Sequence, residues 1–394
     1  MRDDLNYRAT KKVFFQMKIA INCWVLRNKQ LDGIGYFTVN TLSRVIKNHP
    51  ETQFMILCDK KFTETYFDFP NVSKHFIFPA LRHPVLYVLY MELLLPFFLK
   101  KHQPHLLVSM EGFLSLLSGT PQMPVVYDIN FEHQPQDLKW QNRLYFRFFF
   151  KRFVRKATRV ATISNYSKQD IASFYKVNPD KIDNVSCGIN SNFSPLGTNE
   201  IAATRLQYTN GKPYFFFVGS MHPRKNIQRL IEAFTLFRQT TASDHKLVLA
   251  GAIWWSKSTI EEAYSKSPFK DDIIFTGRLS EEDLKKLLGS AFALSFVPIF
   301  EGFGLPIVEA FQSEVPVLCS NTTSMPEVAG NAAILVDPFD TNAIASGMKE
   351  LYENDKLRSE LVQRGRIQKE KFTWDNTAIL FWESIVQCLK TDLR

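Results

Sequence analysis

Ile299-Phe300-Glu301-Gly302-Phe303-Gly304-Leu305-Pro306-Ile307-Val308-Glu309-Ala310-Phe311-Gln312 is the stretch on which the reading of this chain turns. The apolar run before it, 291–297, reads as a buried strand, 298–304 as a glycine-bearing turn, and Pro306 sits where a helix begins. Strand, glycine turn and helix N-terminus together make an anion site. The first N–H groups of a helix lack partners, and the macrodipole adds positive potential there. Gly302 and Gly304 have no Cβ, so a phosphate can approach the main chain. Glu301 lies on the turn and Glu309 about one turn into the helix.

Two carboxylates also raise the question of a glycosidase pair. Eight helical residues span about 12 Å, whereas a retaining pair stands about 5–5.5 Å apart. A glycosidase also has no need of glycines between its carboxylates. Two readings of the stretch by itself then stand. In one it is an ordinary βα turn with a solvated Glu at each end. In the other the turn amides hold a diphosphate, Glu309 accepts hydrogen bonds from ribose hydroxyls, and Glu301 faces the group being transferred.

Residues 299–340, with Ser324-Met325-Pro326-Glu327-Val328 and Asp337-Pro338, resemble the donor half of retaining glycosyltransferases with the GT-B fold. The likeness is to the large group 1 family (family 4), which includes bacterial mannosyl- and glucosyltransferases and sucrose synthase. A second block, Gly219-Ser220-Met221-His222-Pro223-Arg224-Lys225-Asn226, stands in the family's expected place, and weaker matches extend from Met17 over nearly the whole chain. The resemblance implies an α/β chain of two Rossmann-like, doubly wound parallel-sheet domains facing a cleft, the last helix crossing back to the first. The expected division is an appendage 1–16, an acceptor-side domain 17–195, a donor-binding domain 196–373 and a returning helix 374–394.

The resemblance also implies the site. Donor contacts are expected from Gly33, Gly35, Gly219, Arg224, Lys225, Gly277, Leu279, Glu301, Gly302, Phe303, Gly304, Leu305 and Glu309. Glu301, Arg224, Lys225 and Asp128 are expected to carry the chemistry. Arg presents a planar fork to phosphate oxygens and Lys a point charge, and both meet a leaving diphosphate whose charge grows as its bond to the sugar breaks. No metal and no cofactor are expected, the nucleotide-diphosphate sugar being the substrate. GDP-mannose is the expected donor, since mannosyltransferases are common among relatives sharing the Gly33-Ile34-Gly35 and Asp128 segments. The expected acceptor is a polysaccharide or lipid-linked glycan.

The chain departs from the pattern at Val125-Val126-Tyr127-Asp128, where relatives often carry His-Asp. Tyrosine still donates a hydrogen bond but does not titrate near neutral pH. Nearby His133 is a candidate for the missing imidazole, and a solvated loop histidine is the plainer reading. A catalytically weak or inactive sugar-nucleotide sensor is the rival that Tyr127 brings in. Thr276-Gly277-Arg278-Leu279-Ser280 follows another strand, and Ser280 with Asp283 gives a helix start. There the family's backbone faces the nucleotide base.

Further strands are expected at 17–22, 53–58, 105–109, 124–128, 159–163 and 182–185. A second series follows at 214–218, 246–250, 272–275, 292–297, 315–319 and 332–335, separated throughout by helical patterns. The Pro/Gly-bearing segment 191–212 reads as the linker. The 394 residues suit two domains. Five scattered cysteines without a C-x-x-C spacing argue against a disulfide framework or structural zinc and suit a reducing cytoplasm. The apolar stretch 84–99 is broken by Glu92 and Pro96 and is too short to span a bilayer, and the N-terminus does not read as a signal peptide.

The net charge of +9 has one source. Residues 139–159 hold eight basic residues (Lys139, Arg143, Arg147, Lys151, Arg152, Arg155, Lys156, Arg159) and no acidic one, leaving 40 basic against 39 acidic elsewhere. Arg143, Arg147 and Lys151 recur every fourth residue, with Phe146, Phe149, Phe150 and Phe153 largely opposite. Such a basic amphipathic helix fits an anionic membrane surface, and the protein is expected in the cytoplasm, peripheral to the inner face. A core helix with a solvated basic face remains the alternative. No nucleic-acid recognition motif accompanies the patch.

Overall fold

The structure, a computed structural model, describes residues 17–27, 31, 33–59, 66–78, 84–189, 192–252 and 257–392. The expected appendage 1–16, together with Asp32 and Asn190, lies outside the described residues. The chain divides into two units, Met1–Gly188 with Trp374–Arg394, and Ile189–Thr373. The chain passes back to the first unit at 374. The first crossing comes at 188, not 195, and the expected linker largely folds as a helix, Thr198–Thr209. Its composition is polar because it is a mostly exposed helix, with Leu206 69% exposed.

In the first unit, β1 (Lys18–Asn22), β2 (Gln53–Cys58), β3 (Val72–Phe76), β4 (Leu106–Ser109) and β5 (Gln122–Pro124) form a parallel sheet in the order β3-β2-β1-β4-β5. A parallel pair, β6 (Val160–Thr162) and β7 (Ile182–Asn184), joins it through the bridge Val125↔Ala161 and the Val126 N–H to Ala161 O bond. β3 escapes a hydrophobicity reading because its sequence, Val-Ser-Lys-His-Phe, lies at the sheet edge and buries little. The strand expected over 124–128 stops early because Asp128 Oδ1 accepts from the Asn130 N–H (3.0 Å) and turns the chain into the short helix Asn130–His133.

Helix α1 (Gly33–Asn48) covers this sheet, and the C-terminal helix Trp374–Asp392 packs on α1. Phe37 meets the rings of Trp374 and Phe381, and Arg44 pairs with Asp375 at 2.7 Å. Only glycine fits at 188, where a Cβ would lie 2.4 Å from the Trp374 ring. The apolar stretch 84–99 is helical, with a π-helical segment Tyr90–Leu94. Glu92 there accepts from the Ser115 hydroxyl and from the Leu116 and Leu117 N–H groups. No helix among the described residues is long and apolar enough to cross a membrane.

Helix α2 (Trp140–Lys156) carries the basic stretch. Phe150 and Phe153 are buried and Phe146 and Phe149 partly so, as the periodicity predicts. Arg159 falls beyond the helix and is bound to Asp183 at 2.6 Å, so it is not part of the basic face.

The second unit holds β8 (Tyr214–Val218), β9 (Lys246–Ala250), β10 (Ile273–Gly277), β11 (Ala293–Phe296), β12 (Val317–Ser320) and β13 (Ala333–Val336). All are parallel, in the order β10-β9-β8-β11-β12-β13. Tyr214, Phe215, Phe216 and Phe217 are fully buried, as befits a central strand covered on both faces. The order reverses between β8 and β11, and in a doubly wound sheet ligands bind beyond the strand ends at that reversal. The loops after β8 and β11 are the two blocks singled out in the sequence. Helix α3 (Ile227–Thr240) follows the first and helix α4 (Leu305–Gln312) the second.

Candidate active site

The two loops at the reversal are tied together by their own main chain. The Ile299 N–H donates to Arg224 O (2.7 Å), and Asn226 Nδ2 donates to Val297 O and Pro338 O. The turn 301–304 is held from beneath by hydroxyls of the next loop. Ser324 Oγ lies 2.9 Å from both Glu301 O and Phe303 O, and Thr323 Oγ1 accepts from the Glu301 N–H. Gly304 caps α4 at φ +106°, a conformation that strains any residue with a Cβ. Among the described residues, the N–H groups of Phe303, Gly304 and Leu305 have no acceptor, and Pro306 has no N–H to compete with them. Unpartnered N–H groups at a helix start are able to receive an anion.

Three adjacent strands end in glycine. Gly219, Gly251 and Gly277 have φ of +150°, +146° and +70° and lie at the ends of β8, β9 and β10. The Gly219 N–H donates to Ala250 O and the Gly251 N–H to Gly277 O, both at 2.9 Å. A Cβ on Gly251 would stand 1.8 Å from Gly219 O, so this residue sets the course of the loop after β8. Sequence reasoning found Gly219 and Gly277 and missed Gly251. The signal was there, a glycine directly after the apolar run 246–250. Ser324 was quoted in the resemblance, but its clamp on the turn was not foreseen. Leu279 is partly buried just before a helix, and Ser280 caps that helix by accepting from the Asp283 N–H.

The charged groups converge. Arg224 Nη1 donates to Glu301 Oε1 (2.7 Å) and Phe300 O (3.0 Å), and Lys225 Nζ donates to the same Oε1 (2.5 Å). Burial alone would raise the Glu301 carboxyl, but Lys225 and Arg224 outweigh it and hold the group below the usual carboxylate range. Two cations on one carboxylate leave a net positive site beside unpaired amides. Glu309 is the opposite case. It is partly buried, makes no side-chain hydrogen bond or ion pair among the described residues, and is pushed up to about 7 by burial, with Glu281 adding to the effect. A carboxylate so placed calls for neutral hydrogen-bond donors such as hydroxyls.

The remaining predicted residues belong to the first unit. Gly33 and Gly35 were expected in a loop, but they form the first turn of α1, neither with a left-handed φ. Gly35 is glycine because Leu31 lies over it, its Cδ2 2.8 Å from where a Cβ would stand. Tyr127 packs edge-on against Phe37 (5.3 Å), and its hydroxyl is buried beside Thr38. Burial pushes its ionisation well above the ordinary value, so it stays a neutral phenol. His133 is not a bare loop histidine, since its Nε2 lies 2.9 Å from both oxygens of Asp170. Among the described residues, no group of three or more His, Cys, Asp or Glu is placed to hold a metal ion.

Comparison with known proteins accords with this geometry. The family described as "Glycosyl transferases group 1" matches residues 200–368, and "Glycosyltransferase Family 4" matches residues 45–193. The chain belongs to the group 1 glycosyltransferase family. The O-antigen chain mannosyltransferase B of Escherichia coli is 31% identical over 221 residues, 56% of this chain and 58% of that protein. The O-antigen chain mannosyltransferase RfbU of Salmonella typhimurium is 29% identical over 231 residues, 58% of this chain and 60% of that one. The match thus spans somewhat over half the length of each of these relatives. The solved sucrose-phosphate synthase of Thermosynechococcus elongatus superposes with a TM-score of 0.73 at 18% identity, covering 94% of this chain and 98% of its own. The fold is GT-B.

Proposed function

We propose that this group 1 family member is a retaining glycosyltransferase that moves a sugar from a nucleotide-diphosphate donor to a polysaccharide or lipid-linked glycan acceptor. The cluster of Arg224 and Lys225 on Glu301, beside the unpaired amides of 303–305, is the observation that carries this reading. The amides and cations take the diphosphate, and Glu309 accepts from the ribose hydroxyls. When the sugar C–O bond breaks, its electron pair passes to the departing diphosphate, and the growing charge meets Arg224 and Lys225. Glu301 keeps both cations aimed and faces the transferred sugar. The departing phosphate helps to accept the acceptor hydroxyl's proton, so the protein supplies position and charge more than a strong base. The nucleotide sugar is the substrate and no resident cofactor takes part.

The O-antigen mannosyltransferase relatives support GDP-mannose as donor and a surface glycan as product. The reading places the protein in the cytoplasm, with the basic face of residues 139–159 toward an anionic membrane where lipid-linked acceptors reside. A thermal-shift panel of nucleoside diphosphates and their sugars tests it. GDP and GDP-mannose should raise the melting temperature, a ligand at 100 times its Kd adding about 2.7 kcal/mol. A protein that no nucleoside diphosphate stabilises would overturn the assignment.

A further inference from the structure

Helix α2 exposes more than charge. Trp140, Leu144 and Phe148 are 71%, 64% and 50% exposed, four residues apart, and so form one ridge. Arg147 and Lys151, also exposed and four apart, form a second ridge directly beside it, which Arg155 continues with its guanidinium turned to Tyr175 O. The Arg152 guanidinium lies over the Phe148 ring, 3.8 Å from its centroid. The opposite face of the helix, with Tyr145, Phe150 and Phe153, is buried in the core. Arg147 and Lys151 have no acidic partner among the described residues. The adjoining helical stretch 84–102 meets α2 through the Tyr87–Tyr145 ring contact and exposes Leu93 and Phe97.

A solvated basic face has no use for Trp, Leu and Phe between its cations. We propose that α2 is an interfacial wedge, with Trp140, Leu144 and Phe148 entering the headgroup–acyl boundary of an anionic bilayer while Arg147 and Lys151 reach lipid phosphates. This rests on the membrane partner proposed above and changes its physics, from attraction at a distance to insertion. An indole suits that depth, since its body is apolar and its N–H can stay with the headgroups. Long basic side chains extend to the phosphates while their stems lie along the apolar layer. Charge complementarity selects lipid over an acidic protein partner, because ridges of both kinds run in parallel along one helix face, as an amphipathic helix lying in the membrane plane requires.

The test is sedimentation of the full-length protein with zwitterionic vesicles, with and without phosphatidylglycerol. It is run at low salt and at about 1 M NaCl, where the Debye length is about 3 Å. The wild type should bind the anionic vesicles and stay partly bound in high salt. Trp140→Ser/Leu144→Ser/Phe148→Ser should lose at least about tenfold in vesicle partitioning at both salt levels. Arg147→Glu/Lys151→Glu should lose binding chiefly at low salt. Melting curves of the variants, and Trp140→Ser alone, guard against a folding defect. If salt releases the wild type completely and the triple variant binds like it, insertion is wrong while electrostatic docking stands. No vesicle binding by the wild type would remove the membrane reading as well. Salt-sensitive RNA binding abolished by the charge variant, without vesicle binding, would assign the face to nucleic acid and overturn the proposal.

Discussion

Raising the pH from about 6 to about 8 should tighten donor binding about tenfold, and Glu309→Gln should abolish that dependence. In the free protein the Glu309 carboxyl ionises at about 7, because burial disfavours its charge and Glu281 adds to the effect. To accept hydrogen bonds from ribose hydroxyls it must be ionised, so the complex holds it as carboxylate. The apparent Kd then rises by a factor of about 11 at pH 6, about 2 at pH 7 and hardly at all at pH 8, equivalent to about 1.4 kcal/mol over the range. About one proton per donor is released at the acid end, which calorimetry in two buffers of different ionisation enthalpy reads directly. The ligand should be the nucleotide sugar, since the terminal phosphate of a free nucleoside diphosphate titrates in the same window. Stability moves the other way. The folded carboxyl ionises above the ordinary 4.5, so stability falls as the pH rises from about 4.5 to about 7, by up to about 3 kcal/mol. Glu309→Gln should therefore raise the melting temperature above pH 7 while weakening the donor. A wild-type Kd that is flat from pH 6 to 8, or a Gln variant with the same slope, would refute the placement of Glu309 at the ribose.

Three further outcomes follow from other parts of the second unit. Arg224→Ala and Lys225→Ala should each lower kcat more than they raise KM for donor, because the charge they meet grows as the bond breaks; a pure KM effect would confine them to ground-state binding. Gly251→Ala should destabilise the unit by at least about 2 kcal/mol, since its Cβ would collide with Gly219 O at a left-handed φ, and an unchanged urea midpoint would contradict that packing. His245 is buried among Phe215, Phe292 and Tyr352, and burial lowers its imidazole to about 4. Its contribution is present above about 6.5 and lost as the pH falls toward 4, by up to about 3 kcal/mol, so His245→Gln should flatten the acid side of the stability profile. That loss opposes the Glu309 effect, and each variant isolates its own part.

The fold was legible where burial writes itself into the sequence. Strands such as Tyr214–Val218 and Lys246–Ala250 are covered on both faces and read as plain apolar runs. Val72–Phe76 did not, because an edge strand needs little apolar surface. Composition marks exposure and not a crossing between units, so the polar segment read as a linker is largely an exposed helix. Arg224, Lys225, Glu301 and the glycine turn stood out because the family resemblance runs through their two blocks, and the fold brings the three charged groups together. Thr323 and Ser324 act on that turn, and Gly251 on the loop after β8, from distant parts of the chain, so only the packed structure gives them a role. Likewise Gly33 and Gly35 open helix α1, where Leu31 crowds the place of a Cβ at 35.

The central claim is transfer with retention, and the anomeric configuration of the product tests it most directly. Purified protein incubated with GDP-mannose and a mannan or lipid-linked oligosaccharide acceptor should yield an α-mannoside, read from the one-bond C–H coupling at the new anomeric centre. The configuration of the donor would then be kept. A β-mannoside would contradict retention. Failure to transfer or hydrolyse any nucleotide sugar that binds would contradict the transferase itself.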